Sequence, residues 1–237
     1  EMCIRDSYYT NPTSLNGPYS VFVSSDYAYV ASSNGNSLTT FSLSNPADPV
    51  EVDYYTNSTS LNGAQSVFVS NGYAYVASSA GNSLTTFSLS NPADPVEVDY
   101  YTNSTSLNSA LFVFVSNGYA YVASYTGNSL TTFSLSNPAD PVEVDYYTNS
   151  TSLNNPYSVF VSNGYAYVAS SNGYSLTTFS LSNPADPVEV DYYTNSTSLN
   201  GAVSVFVSSD YAYVASWFGN SLTTFSLSNP ADPVEVD

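Results

Sequence analysis

The chain has no histidine and no lysine, and its single Arg5 is its only cationic side chain. Each absence removes a class of function. Nucleic-acid affinity depends on Lys and Arg displacing counterions from phosphates, so nucleic acid is excluded as a partner. Attraction to anionic lipid surfaces fails for the same reason. Without His or Lys the commonest general bases, amine nucleophiles and phosphate clamps are missing. One cysteine, Cys3, allows no disulfide within the chain and has no histidine to activate it. No apolar run approaches the length of a membrane-spanning helix, so membrane insertion is not expected.

What remains is unusual. Of 237 residues, 43% are hydrophobic and 16% aromatic, with 24 tyrosines, while only 8% are charged, and the formal net charge is -18. The apolar share is enough for a sizeable core. Fifteen of the nineteen acidic residues come from one motif, ADPVEVD, present five times.

That motif belongs to a repeat with a period of 46, marked by FSLS beginning at Phe41, Phe87, Phe133, Phe179 and Phe225. The copies span 8–53, 54–99, 100–145, 146–191 and 192–237, forming one repeat domain over 8–237. Residues 1–7, EMCIRDS, hold the only Met, Cys, Ile and Arg and match no part of the repeat. They read as a translated adapter rather than part of the fold. Both ends of the repeat region fall within one strand motif, so a section of a larger propeller or array is expected, although five blades can also close.

The second copy predicts four strands. SVFVS (66–70) is β-rich, and Asn71-Gly72 then supplies a tight hairpin turn, since both residues tolerate positive φ. YAYVAS (73–78) returns as a strand that is apolar on both faces, as suits a position between neighbouring sheets. SLTTFSLS (83–90) is a third strand, the NPADP turn (91–95) ends it, and VEVDYYT (96–102) is the fourth. The fourth alternates Val with Glu97 and Asp99, which is expected to turn the acids to water and blunt an outer edge. Four antiparallel strands in 46 residues describe a propeller blade, so the predicted fold is an all-β β-propeller of five four-stranded blades.

The strand YAYVAS, the pattern Leu-x-x-aromatic-x-Leu and the turn SNPADP together resemble the LVIVD repeat, found in surface proteins. Leu84-Thr85-Thr86-Phe87-Ser88 stands where the naming motif would be, with Ser in place of its Asp. The resemblance implies a propeller and an extracellular or cell-surface setting, and no particular chemistry.

The copies differ mainly in two places. One leads into the first strand: GPYS, GAQS, SALF, NPYS and GAVS, with Tyr19, Gln65, Leu111, Tyr157 and Val203 in one column and Phe112 beside Leu111. The other is the hairpin between strands two and three: SNGN, SAGN, YTGN, SNGY and WFGN, which contribute Tyr125, Tyr174, Trp217 and Phe218. In a four-stranded meander both connections lie at the same end of the blade. The variation therefore maps to one face of the ring, where loops on a rigid scaffold commonly carry binding. Tyr and Trp there suit contact with a protein or glycan partner.

No catalytic constellation emerges, since fivefold identical carboxylates do not make the differentiated pair that acid–base chemistry needs. The protein is thus expected not to be an enzyme and to need no cofactor. Asp94, Glu97 and Asp99 are hard oxygen ligands and leave calcium open, but along a strand they are spread out and read better as a solvated acidic rim. A structural spacer is the remaining alternative. Asn57, Asn103, Asn149 and Asn195 each open an Asn-Ser-Thr sequon, which a secretory route could glycosylate.

Overall fold

The computed structural model describes residues 8–236. The adapter reading of residues 1–7 lies outside the described residues. Among those described, every regular element is a strand, and the strands form five separate four-stranded antiparallel sheets. Blade 1 comprises β1 (Pro18–Ser24), β2 (Tyr27–Ser32), β3 (Ser37–Ser42) and β4 (Val50–Thr56). Blade 2 comprises β5 (Ala64–Ser70), β6 (Tyr73–Ser78), β7 (Ser83–Ser88) and β8 (Val96–Thr102). Blades 3, 4 and 5 repeat this order from first strands Ala110–Ser116, Pro156–Ser162 and Ala202–Ser208. Each sheet is a simple meander of sequential strands.

The local causes are those visible in the motifs. Asn71 and Gly72 both have positive φ, at 51° and 77°, as a primed hairpin turn requires. The linker after β4 folds into one tight turn. The Asn57 carboxamide oxygen accepts from the Thr59 and Ser60 amides, and the Leu61 amide donates to the Asn57 carbonyl, which delivers Leu61 into the core with no exposure.

The core consists of four layers, one between each pair of consecutive blades. In the first, Tyr29, Ala31 and Leu38 of blade 1 pack on Leu61, Val67, Val69 and Val76 of blade 2. Phe22, Phe68, Phe114, Phe160 and Phe206 link the first strands in a continuous row, with ring centroids 4.7–4.9 Å apart. The Tyr29 hydroxyl crosses to the Pro92 carbonyl at 3.2 Å, and the same bond recurs at Tyr75, Tyr121 and Tyr167.

The fourth strand departs from expectation. Val96 and Val98 are its exposed residues, at 54% and 44%, while Glu97 and Asp99 are half-buried. Glu97 pairs with Phe87, whose ring faces the layer shared with blade 1, and a β-bulge follows in which Thr86 pairs with Asp99, so Val98 is the extra residue. Glu97 therefore turns toward the preceding blade rather than to water, so the solvated acidic rim is corrected for Glu97 and Asp99, while Asp94 is exposed as expected.

Candidate functional site

The two variable segments of each blade are joined by backbone hydrogen bonds. The Ser79 amide donates to the Gly63 carbonyl and the Gly81 amide to the Asn62 carbonyl. The same pairing links Ser33 to Gly17, Tyr125 to Ser109, Ser171 to Asn155 and Trp217 to Gly201. Neighbouring blades are tied at this end too: the Asn36 side-chain oxygen accepts from the Gly63 amide at 2.9 Å, with equivalents from Asn82 to Ser109 and Asn128 to Asn155. The lead-in loops and hairpin tips thus form one face.

At its centre is a cavity of about 180 Å³ to which all five blades contribute. Tyr19, Gln65, Leu111, Phe112, Tyr157 and Val203 line it, with Ser20, Ser158 and Ser204, which share the column of Phe112, between them. These first strands pack side by side around the axis, so a column that is scattered in sequence becomes an arc around one opening. Gln65 is held by its amide, which donates to Ser33 and Ser79 hydroxyls at 3.3 Å. The Tyr157 hydroxyl is pushed up from its ordinary pKa by burial first and then by the nearby Tyr19 and Tyr125 hydroxyls.

The other four candidates sit on hairpin tips around this mouth. Tyr125 meets Tyr157 edge to face, with centroids 6.1 Å apart. Trp217 and Phe218 stack with centroids 5.9 Å apart and planes 16° from parallel, and both are more than two-thirds exposed. Phe218 covers Gly201, where a Cβ would come within 2.7 Å of the ring. Tyr174 has φ 51°, a region where the equivalent positions of the other blades carry Asn. It also lacks the carboxamide that Asn128 offers to the next blade's lead-in amide. None of these loops carries a charged residue.

A second cavity, of about 250 Å³, lies between blades 1 and 2 at the opposite end, by Tyr29, Asn71 and Pro92. Its lining comes from the repeated scaffold, which makes it a seam between blades.

The pattern reading missed the role of the repeated glutamate. Ser60 Oγ donates to Glu97 Oε2 at 2.6 Å, the Tyr55 hydroxyl at 2.9 Å and the Asn57 amide at 3.4 Å. Ser106 and Ser152 make the same 2.6 Å contact to Glu143 and Glu189. Glu97 is thus a latch for the preceding blade's linker, and the Asn57 amide nitrogen of the sequon is engaged by it. Asp99 has its pKa raised, by burial first and then by Asp140 and Glu97. Among the described residues, no three His, Cys, Asp or Glu side chains gather where they could share a metal ion.

Five meander sheets packed face to face around a common axis, with an opening at the axis, define a β-propeller. The chain belongs to the LVIVD repeat family, which matches at 19–57, 63–103, 109–149, 156–195 and 201–237. Solved structures share the fold at low identity. Periplasmic gluconolactonase PpgL of Pseudomonas aeruginosa is 12% identical with a TM-score of 0.79, over 93% of this chain and 69% of that one. Virginiamycin B lyase of Staphylococcus aureus is 14% identical with a TM-score of 0.73, over 95% and 71%. A functionally unknown protein of Desulfotomaculum acetoxidans is 14% identical with a TM-score of 0.77, over 93% and 69%. No curated protein matches in sequence.

Proposed function

We propose that the protein is a non-enzymatic binding module, working on or outside a cell, whose variable face takes a neutral carbohydrate chain. The observation that carries this reading is convergence. Residues that differ between otherwise near-identical copies, Tyr19, Gln65, Leu111, Phe112, Tyr157 and Val203, line one cavity. Drift at loop tips would leave such changes scattered and mostly small and polar. Instead all but Gln65 are aromatic or apolar, and Tyr174, a varied residue on a hairpin tip, occupies a backbone conformation unfavourable for it.

The chemistry of the face favours a neutral sugar over other partners. Stacked, exposed Trp217 and Phe218 offer a flat apolar platform, while Gln65, Ser158 and the tyrosines supply uncharged hydrogen-bonding groups. With a net charge of -18, anionic glycans are repelled. A catalytic reading, of the kind the names of the lactonase and lyase suggest for those proteins, finds no support in the cavity lining, which contains no acid, histidine, lysine or cysteine.

Binding to immobilised neutral and acidic oligosaccharides, measured beside capture of surface proteins, tests this. Neutral glycans should bind, and the double variant Trp217→Ser, Phe218→Ala should weaken binding by roughly 30-fold or more, the loss of one anchor contributing about 2 kcal/mol. Equal binding by that variant, selective capture of a protein, or no binding at all, as a spacer would give, overturns the carbohydrate reading.

A further inference from the structure

The two ends of the blade row are unlike its interior. On blade 1, Val21 and Val23 are 62% and 58% exposed, although their counterparts Val67 and Val69 in blade 2 are buried at 3% and 9%. On blade 5, Leu222 is 67% exposed, although Leu38, Leu84, Leu130 and Leu176 are wholly buried. Phe206, last in the row of first-strand rings, is 57% exposed and no ring follows it. The two faces are the two halves of the interface that holds the blades together. Blade 5 presents what blades 1–4 bury against their successors, and blade 1 presents what blades 2–5 bury against their predecessors.

We propose that these faces are a docking site for two further blades of this same repeat, which complete a seven-bladed ring. The faces select this occupant because four internal interfaces show what covers each of them. The directional bonds of those interfaces are also available. Tyr213 lacks the turn carbonyl that Tyr29 finds at Pro92, and Val21 lacks the serine hydroxyl that the Val67 amide finds at Ser20. The number of blades follows from curvature. Solved propellers overlay 93% of this chain on 69% of their own length, about what five blades of seven occupy, and propellers run to roughly eight blades at most. A gap of that size admits two blades and is too small for a second five-blade chain.

The test lengthens the chain at its C-terminal end with copies of residues 54–99, giving forms with five, six, seven and eight repeats. Each carries Val21→Cys, or Val23→Cys as a second probe, with Cys3→Ser to remove the other thiol. Thiol labelling should be fast with five and six repeats. It should slow by roughly tenfold or more at seven, where the face becomes covered and opens only by local unfolding. The thermal midpoint should rise more from six to seven than from five to six. Slow labelling of the monomeric five-repeat chain would show the ring closing on itself. Slow labelling in a five-repeat dimer would make a second copy the occupant. Fast labelling at seven repeats would mean that the curvature is wrong. Each of these overturns the proposal.

Discussion

Ser60 and Glu97 belong to consecutive blades and meet through a 2.6 Å hydrogen bond from the Ser60 hydroxyl to Glu97 Oε2. The same carboxylate accepts from Tyr55, whose ring packs edge-on against Phe87 of the next blade. One side chain thus gathers the end of one blade and the linker leaving it. Glu97→Ala removes the acceptor for all three donors and should destabilise the fold by about 1–3 kcal/mol, the range for a part-buried charged hydrogen-bonding group. Glu97→Gln, which keeps one acceptor oxygen, should cost less. Denaturant midpoints of the two variants check this. Equal stability of Glu97→Ala and the parent would return the glutamate to the solvated rim.

That latch shows what the sequence made legible and what it hid. The period, the Asn-Gly and Pro-punctuated turns, the four strands and the shared end of the variable loops are local or topological properties, and each could be read directly. Even the convergence of Tyr125 on Tyr157 follows from placing two connections at one end of a meander. The orientation of Glu97 could not be read, because plain alternation assigns Val to one side and acids to the other without saying which side is wet. Its pairing with Phe87 and a partner 37 residues away decide it. The conformation of Tyr174 was equally hidden, since its position looks like any other loop tip until the backbone angle is known.

The same leucine in two copies offers a controlled comparison. Leu84 is fully buried between blades 2 and 3, whereas Leu222 is 67% exposed on blade 5. Leu84→Ala should cost about 2–5 kcal/mol, the usual range for emptying a core leucine site. Leu222→Ala in the five-repeat chain should fall within roughly 0.5 kcal/mol of the parent. Thermal unfolding of the two variants distinguishes them, and a large loss at Leu222 would mean that the blade 5 face is covered in solution.

Tyr174 has φ 51°, where Asn36, Asn82, Asn128 and Asn220 lie within a few degrees of it. Asparagine visits this left-handed region far more readily than a residue with a bulky side chain. In blades 1–3 the Asn also accepts the next blade's lead-in amide, a bond that Tyr174 does not make to Gly201. Tyr174→Asn should therefore stabilise the protein by about 1 kcal/mol. If the tyrosine serves the binding face, the same change should weaken ligand affinity while raising the denaturation midpoint. A variant less stable than the parent would show that Tyr174 packs usefully where it is.

Alkali should unfold the protein through its buried tyrosines. Burial pushes Tyr29 and Tyr167 up to about 12, and Tyr75 and Tyr121 higher still. The hydroxyls of all four donate to proline carbonyls of the next blade, so ionisation also removes an interblade bond. In the unfolded chain they titrate near the ordinary tyrosine value of about 10. A group whose folded pKa is raised holds its proton more tightly in the native state. Its contribution is complete below about pH 10 and is lost as pH rises through the folded values. Stability should accordingly fall with a slope that steepens above about pH 10. Tyrosinate absorbance and loss of β-sheet circular dichroism should rise together in one transition. Titration of these tyrosines with the sheet signal intact would place their hydroxyls in water rather than between the blades.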